Sequence, residues 1–459
     1  MMRPWAIVLL SLAAGGIVLP WHGAAAQARE EAAPASETSD SIIYRVRKGD
    51  TLYDLAKAYF RDPNGYDAVA RLNKVRDPRR MPVGRPLEIP LALLRDEVLD
   101  ARVIAFRGDV RVAGAAGVRQ AAIDMPLAEG ERLETGANSF VTFELSDETR
   151  VTIPSQSRIR IERLSRPVLT GGAERLLVVE TGRVQSVVTP MTEPRDRFLI
   201  RTPLTVSAVR GTDFRVSYDA AAQRTTSEVI DGAIAVASLA DGTLQTVPEA
   251  AGLATTAAGS GTPSDLLPPP TLERPGRVQA DPSVTFAIRE RAPGQRYRAQ
   301  LANDGGFVDI FAEGLDADGR LEFADVPSGT YFARFTALGA DGVEGMPVVY
   351  GFDRQLNTLD LGAPSAVGEH KRRSYLFRWY SSGAGARTFR FQMSTHPDGS
   401  MPVIDQPGLS EPRITITDLP SGAYYWRVGT TQTVDGRIYQ RWSEPQQFQI
   451  DVDGLAAGR

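Results

Sequence analysis

Apolar residues recur at every second position through most of this chain. Val110 and Val112 flank Arg111, and Val141, Phe143 and Leu145 share one side of a run that begins at Phe140. Val151, Ile153, Ile159 and Ile161 continue the alternation, and further short runs lie at 176–179, 198–200, 205–206, 214–216 and 234–236. Asp147-Glu148, Thr181-Gly182, Asp219, Asp231-Gly232 and Asp241-Gly242 punctuate them. A period of two sends successive side chains to opposite faces of a strand, and acidic residues and glycine between such runs form turns. Many short strands with almost no helical period predict an all-β unit over 98–245.

The pattern differs between 42 and 92. Ile43, Tyr44 and Val46 predict a short strand with Arg45 and Arg47 alternating outward. Lys48-Gly49-Asp50 turns the chain, and Thr51 is placed to cap a helix, its hydroxyl accepting a backbone N–H of the first turn. Asp54 adds favourable charge near that helix start. Leu52, Leu55, Ala56 and Tyr59 then give one apolar face at helical spacing. Arg61-Asp62-Pro63-Asn64-Gly65 ends the helix, Tyr66, Val69, Ala70 and Leu72 predict a second one, and Leu87-Glu88-Ile89-Pro90 returns as a strand. The predicted order is β-α-α-β.

These residues resemble the LysM domain. Tyr44, Val46, Gly49, Asp50, Thr51 and Leu52 match its opening pattern, and Asn73, Gly84, Leu87, Ile89 and Pro90 its close, with Pro63-Asn64-Gly65 as an insertion. The resemblance implies binding of N-acetylglucosamine-containing glycans such as peptidoglycan and chitin. It places the glycan groove between Gly49, Asp50, Thr51 and Leu52 on one side and Asn73, Pro82 and Val83 on the other. The same Asp50, Thr51 and Asn73 also suit helix capping, and the two roles are compatible. Arg71, Lys74, Arg76, Arg79 and Arg80 follow closely. They suit either a solvated loop or contact with acidic stem peptides or anionic lipid head groups.

Within the β-rich middle, Gly130-Glu131-Arg132-Leu133-Glu134-Thr135-Gly136, Val179-Glu180-Thr181-Gly182-Arg183-Val184 and Phe198-Leu199-Ile200-Arg201-Thr202-Pro203 recur as a set. Gly211-Thr212-Asp213-Phe214-Arg215-Val216 and Val229-Ile230-Asp231-Gly232-Ala233-Ile234-Ala235-Val236 complete it. This arrangement resembles a FecR domain and implies a β-solenoid-like stack of short strands. Ser146-Asp147-Glu148-Thr149 departs from the family, which usually carries a glycine there. The sensor that gives the family its name signals to a sigma factor through a cytoplasmic helical arm and a transmembrane helix. Neither is recognisable here, so direct anti-sigma action is not expected. Gly211 and Thr212 suit a tight corner of the stack, because glycine reaches backbone angles closed to other residues.

Residues 246–283, rich in Ala, Gly, Thr, Ser and Pro, are expected to be a linker. An internal repeat follows. Asp325-Val326-Pro327-Ser328-Gly329-Thr330-Tyr331 is echoed by Asp418-Leu419-Pro420-Ser421-Gly422-Ala423-Tyr424, and Phe286, Ile288 and Tyr297 by Phe377, Trp379 and Phe389. Alternating apolar positions at this period predict two β-sandwiches, 284–362 and 363–452, which resemble fibronectin type III-like or Ig-like modules. Trp379 and Tyr425 are expected in the second core. The fold class expected is therefore multidomain and mainly β: a small βααβ LysM module, a β-solenoid-like FecR domain and two β-sandwich domains.

The first residues carry an address. Arg3 precedes an apolar stretch from Ala6 to Leu19, and Ala26-Gln27-Ala28 supplies small residues at a cleavage site. Residues 1–28 are expected to be a signal peptide and 29–41 a flexible leader. An uncleaved anchor is the alternative, although the stretch is short for a bilayer span. The expected location is the periplasm, associated with the cell wall, with no membrane span in the mature chain.

Chemistry narrows the function. The chain has 459 residues, no cysteine, three histidines and a net charge of −4. Disulfides, thiolate nucleophiles and Cys-ligated metals are excluded. The weak net charge disfavours a nucleic-acid binder. His22 falls in the expected signal peptide, His370 beside Lys371-Arg372-Arg373 and His396 before Pro397-Asp398-Gly399, without metal-ligand spacing. No catalytic residue, metal or cofactor is expected. The expected function is a non-enzymatic envelope protein that binds peptidoglycan and presents its other modules to an unidentified envelope protein. A periplasmic sensory component and an accessory of a cell-wall hydrolase are the alternatives.

Overall fold

The computed structural model describes residues 41–169, 171–273, 276–367 and 374–451, with the backbone of 454–456. The expected signal peptide, nearly all of the leader, and His370 with its basic neighbours lie outside the described residues. The chain divides into two compact units after Leu266.

The first unit opens with the predicted β-α-α-β order: β1 (Ser41–Arg45), α1 (Leu52–Tyr59), α2 (Tyr66–Leu72) and β2 (Pro86–Pro90). Strands β1 and β2 pair antiparallel, with Ile43 opposite Glu88. Leu52, Leu55, Ala56, Val69, Leu87 and Ile89 form the buried core between helices and strands. Pro63–Gly65 makes a single 3-10 turn, started by the Asp62 carboxylate accepting the Asn64 N–H at 2.9 Å. The faces of β1 follow the alternation that puts Arg45 and Arg47 outward. Ile43 is 63% exposed beside Arg45, while Tyr44 and Val46 turn inward. A period of two cannot bury Ile43 and its neighbour Tyr44 on the same face.

This small module joins the next without a spacer. The Arg95 N–H donates to Tyr59 O at 2.7 Å, and the Val168 N–H donates to Arg95 O at 3.0 Å. The Arg61 guanidinium reaches Leu94 O and Asp96, and Leu169 packs on the small module's core.

Beyond it the chain winds between two sheets around one core. Val110–Gly114, Arg132–Thr135, Arg158–Pro167, Arg197–Arg201, Thr205–Val209 and Ala233–Ser238 belong to one layer. Ala101–Arg107, Phe140–Leu145, Arg150–Ile153, Asp213–Asp219 and Arg224–Asp231 belong to the other. Leu133, Ile159, Ile161, Ile200 and Ile234 from the first meet Phe143, Val151, Phe214, Val216 and Val229 from the second. Successive hairpins alternate between the layers, which gives the solenoid-like stack.

Thr181-Gly182 is not a turn. Glu174–Val187 is one continuous strand that pairs with Arg197–Arg201 in the first layer and with Asp213–Asp219 in the second. Gly182 sits where it crosses, at φ +82, and a Cβ there would stand 2.5 Å from Ser157 Cα. Only glycine combines that angle with that approach. Gly211 is a second such corner, at φ +88 and with Pro190 Cα 2.6 Å from a Cβ position. Beside it Thr212 Oγ1 donates to Ala233 O at 3.2 Å. Glu148 holds φ +65 in the turn where the related family usually has glycine.

The expected linker is largely built structure. Leu244–Pro248 and Ala251–Thr256 extend the two layers, the latter pairing with Arg224–Glu228 and burying Ala251, Leu253 and Thr255. Its small residues serve a packed strand. Farther on, Leu272 bridges to Ile288 and is buried in the next core.

The second unit contains two sandwiches. In the first, a five-stranded sheet faces Val284–Ala287 and Arg320–Phe323, and Phe286 lies 4.9 Å from Phe335 and 5.4 Å from Phe352. In the second, the Phe377 ring lies 5.1 Å from each of Phe391, Trp426 and Phe448. The repeat is structural: Asp325 and Asp418 hold φ +56 and +59, and Tyr331 and Tyr424 are both buried. Trp379 is in the core, as expected, but Tyr425 is not. Its neighbours Tyr424 and Trp426 face inward, so alternation sends Tyr425 outward. Among the described residues no helix is long and apolar enough to cross a membrane.

Candidate functional site

The corner between β1 and α1 is fixed by side chains that bond their own loop. Asp50 Oδ2 accepts from the Tyr44 hydroxyl at 2.7 Å and from the Arg47 N–H at 2.6 Å. Burial, reinforced by the Asp50 carboxylate, pushes the Tyr44 hydroxyl up to about 12. Thr51 Oγ1 accepts the Asp54 N–H at 3.0 Å and donates to Asp54 Oδ2 at 2.7 Å, a reciprocal cap of α1. Gly49 stands exposed at φ +94 with open space about it.

The opposite wall comes from the segment before β2. Asp77 Oδ1 accepts the Arg79 N–H at 2.9 Å and closes a tight turn. The Leu52 N–H donates to Pro78 O at 2.8 Å and ties the two walls together. The result is a shallow groove of about 450 Å³ lined by Gly49, Asp50, Thr51, Arg79, Arg80, Met81 and Pro82.

Of the residues expected from sequence, Gly49, Asp50, Thr51 and Pro82 are brought together. Leu52 is fully buried beneath and shapes the floor through its backbone alone. Val83 is 68% exposed next to Pro82 but does not line the groove. Asn73 stands apart. Its Nδ2 donates to Val69 O at 2.9 Å and Glu88 O at 2.7 Å, and its Oδ1 accepts the Glu88 N–H at 2.7 Å. That side chain is a clamp between α2 and β2. Met81 was not singled out by sequence. Arg79 and Arg80 were visible as charge, without a sign of which surface they faced.

Elsewhere, His396 sits in a turn, its N–H donating to Ser394 Oγ at 2.9 Å. Among the described residues no group of three or more His, Asp or Glu side chains is placed to hold a metal ion.

The LysM domain family matches residues 44–90, and the FecR protein family matches residues 131–235. No curated protein matches the chain. Among solved structures, a candidate anti-sigma factor from Parabacteroides distasonis is 15% identical with a TM-score of 0.25, covering 29% of this chain. The chain spans 59% of that protein's length. Fibronectin(III)-like modules of Clostridium thermocellum CbhA are 14% identical with a TM-score of 0.19, covering 39% of this chain and 90% of theirs.

Proposed function

We propose that this chain is a non-enzymatic protein of the bacterial envelope that holds peptidoglycan in the groove between Gly49–Thr51 and Arg79–Pro82. Its FecR-like and β-sandwich modules present surfaces to another envelope protein, and the expected signal peptide over 1–28 supports a periplasmic location. The observation that carries the reading is the coincidence of the LysM match over 44–90 with a formed groove at that module's two loops. Backbone groups along such a groove suit acetamido hydrogen bonds, and Met81 and Pro82 offer apolar surface to a sugar's C–H face. Both matched families are binding or signalling domains without catalytic function. Repeated sites on the polymer strengthen a weak single contact.

Co-sedimentation with insoluble peptidoglycan tests this. The purified chain is expected in the pellet. Pro82→Asp, at an exposed position whose backbone bond to Arg85 survives the change, is expected to stay largely in the supernatant. A wild-type chain that remains soluble overturns the proposal. A sensory component is the second reading, supported by the FecR match over 131–235. Specific capture of a membrane signalling protein by the full chain, undiminished in Pro82→Asp, would favour it.

A further inference from the structure

A groove for a neutral sugar has no use for a charged wall, yet this one carries Arg79 and Arg80. Both side chains are exposed and make no ion pair or side-chain hydrogen bond among the described residues. The nearby acids are engaged otherwise. Asp77 accepts a backbone N–H, Asp50 accepts from Tyr44 and the Arg47 N–H, and Asp54 accepts from Thr51. The guanidiniums are therefore left to a ligand while the carboxylates are held by neutral donors.

The surrounding segment has the same sign. Between 71 and 80 stand Arg71, Lys74, Arg76, Arg79 and Arg80 against Asp77 alone, in a chain whose net charge is −4. Arg71, Lys74 and Arg76 line a neighbouring hollow with Asp67. A local excess opposite to the whole chain's charge attracts an anionic polymer and raises its encounter rate. The loop is also preformed, by the Asp77 turn and the Leu52–Pro78 bond, so little order is lost when a carboxylate docks. A guanidinium matches a carboxylate with two parallel N–H bonds.

We infer that the groove selects glycan strands bearing carboxylates, as peptide-substituted peptidoglycan does, over neutral N-acetylglucosamine polymers, with Arg79 and Arg80 as the specificity-determining residues. The inference rests on the glycan reading above. It assigns the apolar and backbone surface to the sugar and the arginine wall to the acidic substituents.

The test compares two ligands on the full purified chain. One is the neutral tetramer of N-acetylglucosamine and the other a disaccharide-peptide dimer released from peptidoglycan. Calorimetric titration is run at about 0.02 M and about 0.3 M salt, which brackets strong and weak screening. The acidic ligand is expected to bind at least about tenfold more tightly at low salt, and the ratio to shrink at high salt. Arg79→Ala with Arg80→Ala is expected to bring the ratio within about twofold, and the paired lysine variant to restore part of it. Both changes are at exposed side chains, and an unchanged unfolding midpoint verifies the fold.

Equal affinity for both ligands in the wild type overturns the inference and leaves the glycan reading standing. So does a ratio that the double alanine variant leaves unmoved. Absence of binding to either ligand by a folded chain rejects the glycan reading itself. Binding to phosphatidylglycerol vesicles that the double variant loses, without any ligand preference, would assign the arginines to a lipid surface and overturn the inference.

Discussion

Replacing Asn73 by alanine separates a binding role from a structural one. The substitution removes three hydrogen bonds, one through Nδ2 to Val69 O of α2 and two, through Nδ2 and Oδ1, to the Glu88 backbone of β2. Each contributes on the order of 0.5–1.5 kcal/mol. Glu88 is exposed, so water re-satisfies its backbone and the loss falls in the lower half of the range, about 1.5–3 kcal/mol in all. A module of this size has roughly 2–7 kcal/mol to lose. Removing the Thr51 cap as well would add about 1 kcal/mol. The double variant would then approach unfolding, and a lost pellet would say nothing about contact. Hydrogen exchange followed by mass spectrometry on peptides spanning 41–94 measures the single variant. Its β1–β2 amides are expected to exchange roughly ten- to 150-fold faster, the equivalent of that free energy. Peptidoglycan pelleting in the cold is expected to persist, because the folded form still dominates. Unchanged exchange together with abolished pelleting would refute the argument and make Asn73 a ligand contact.

Three further outcomes follow from the backbone and from Tyr44. Gly182→Ala forces a Cβ to 2.5 Å from Ser157 Cα at φ +82, and is expected to cost more than about 3 kcal/mol, read as loss of soluble, cooperatively unfolding protein. Glu148→Gly relieves a φ of +65 and is expected to raise stability by about 1 kcal/mol, seen as a higher denaturant midpoint with an unchanged slope. Tyr44, pushed up to about 12, keeps its proton in the folded chain while the unfolded chain loses it near the ordinary value. Its contribution is intact below about pH 10 and is lost as pH rises towards 12. Tyr44→Phe is expected to remove the late part of the tyrosinate absorbance titration and that part of the alkaline stability loss.

Local chemistry was legible in the sequence and long-range chemistry was not. Thr51 announced its cap because its partner, the Asp54 N–H, is three residues away. The all-β character was legible from alternation, since either layer of a two-sheet core imposes the same period of two, while the solenoid-like stack was implied by the resemblance to the FecR family. Gly182 looked like a turn because glycine marks any sharp change of direction. Whether the chain reverses or merely changes layers depends on Ser157, which lies far off in sequence. The 251–256 strand was hidden by composition: Ala, Gly and Thr suit both a loose linker and an interior strand that meets close neighbours. Tyr425 was misplaced by one position, and one position exchanges inside for outside in a strand. Among the groove residues, Gly49, Asp50 and Thr51 are contiguous and came out together. Met81 joins them only because the Leu52–Pro78 bond draws the second wall across.

The direct join at Arg95 turns the LysM-like module into a handle. Tyr59, Arg95 and Val168 are linked backbone to backbone, and Leu169 packs against the small module's core. On the proposed glycan reading, a strand of polymer held in the groove has a set heading relative to the neighbouring sheets, where a leash would let it swing. Tension on that strand enters the stack at Asp96–Val98, whose partners are Ser165–Pro167. Force delivered along a paired edge is shared by several hydrogen bonds at once. Under that same proposal, a load on the polymer reaches the FecR-like layers as a directed pull, with no slack to take up first.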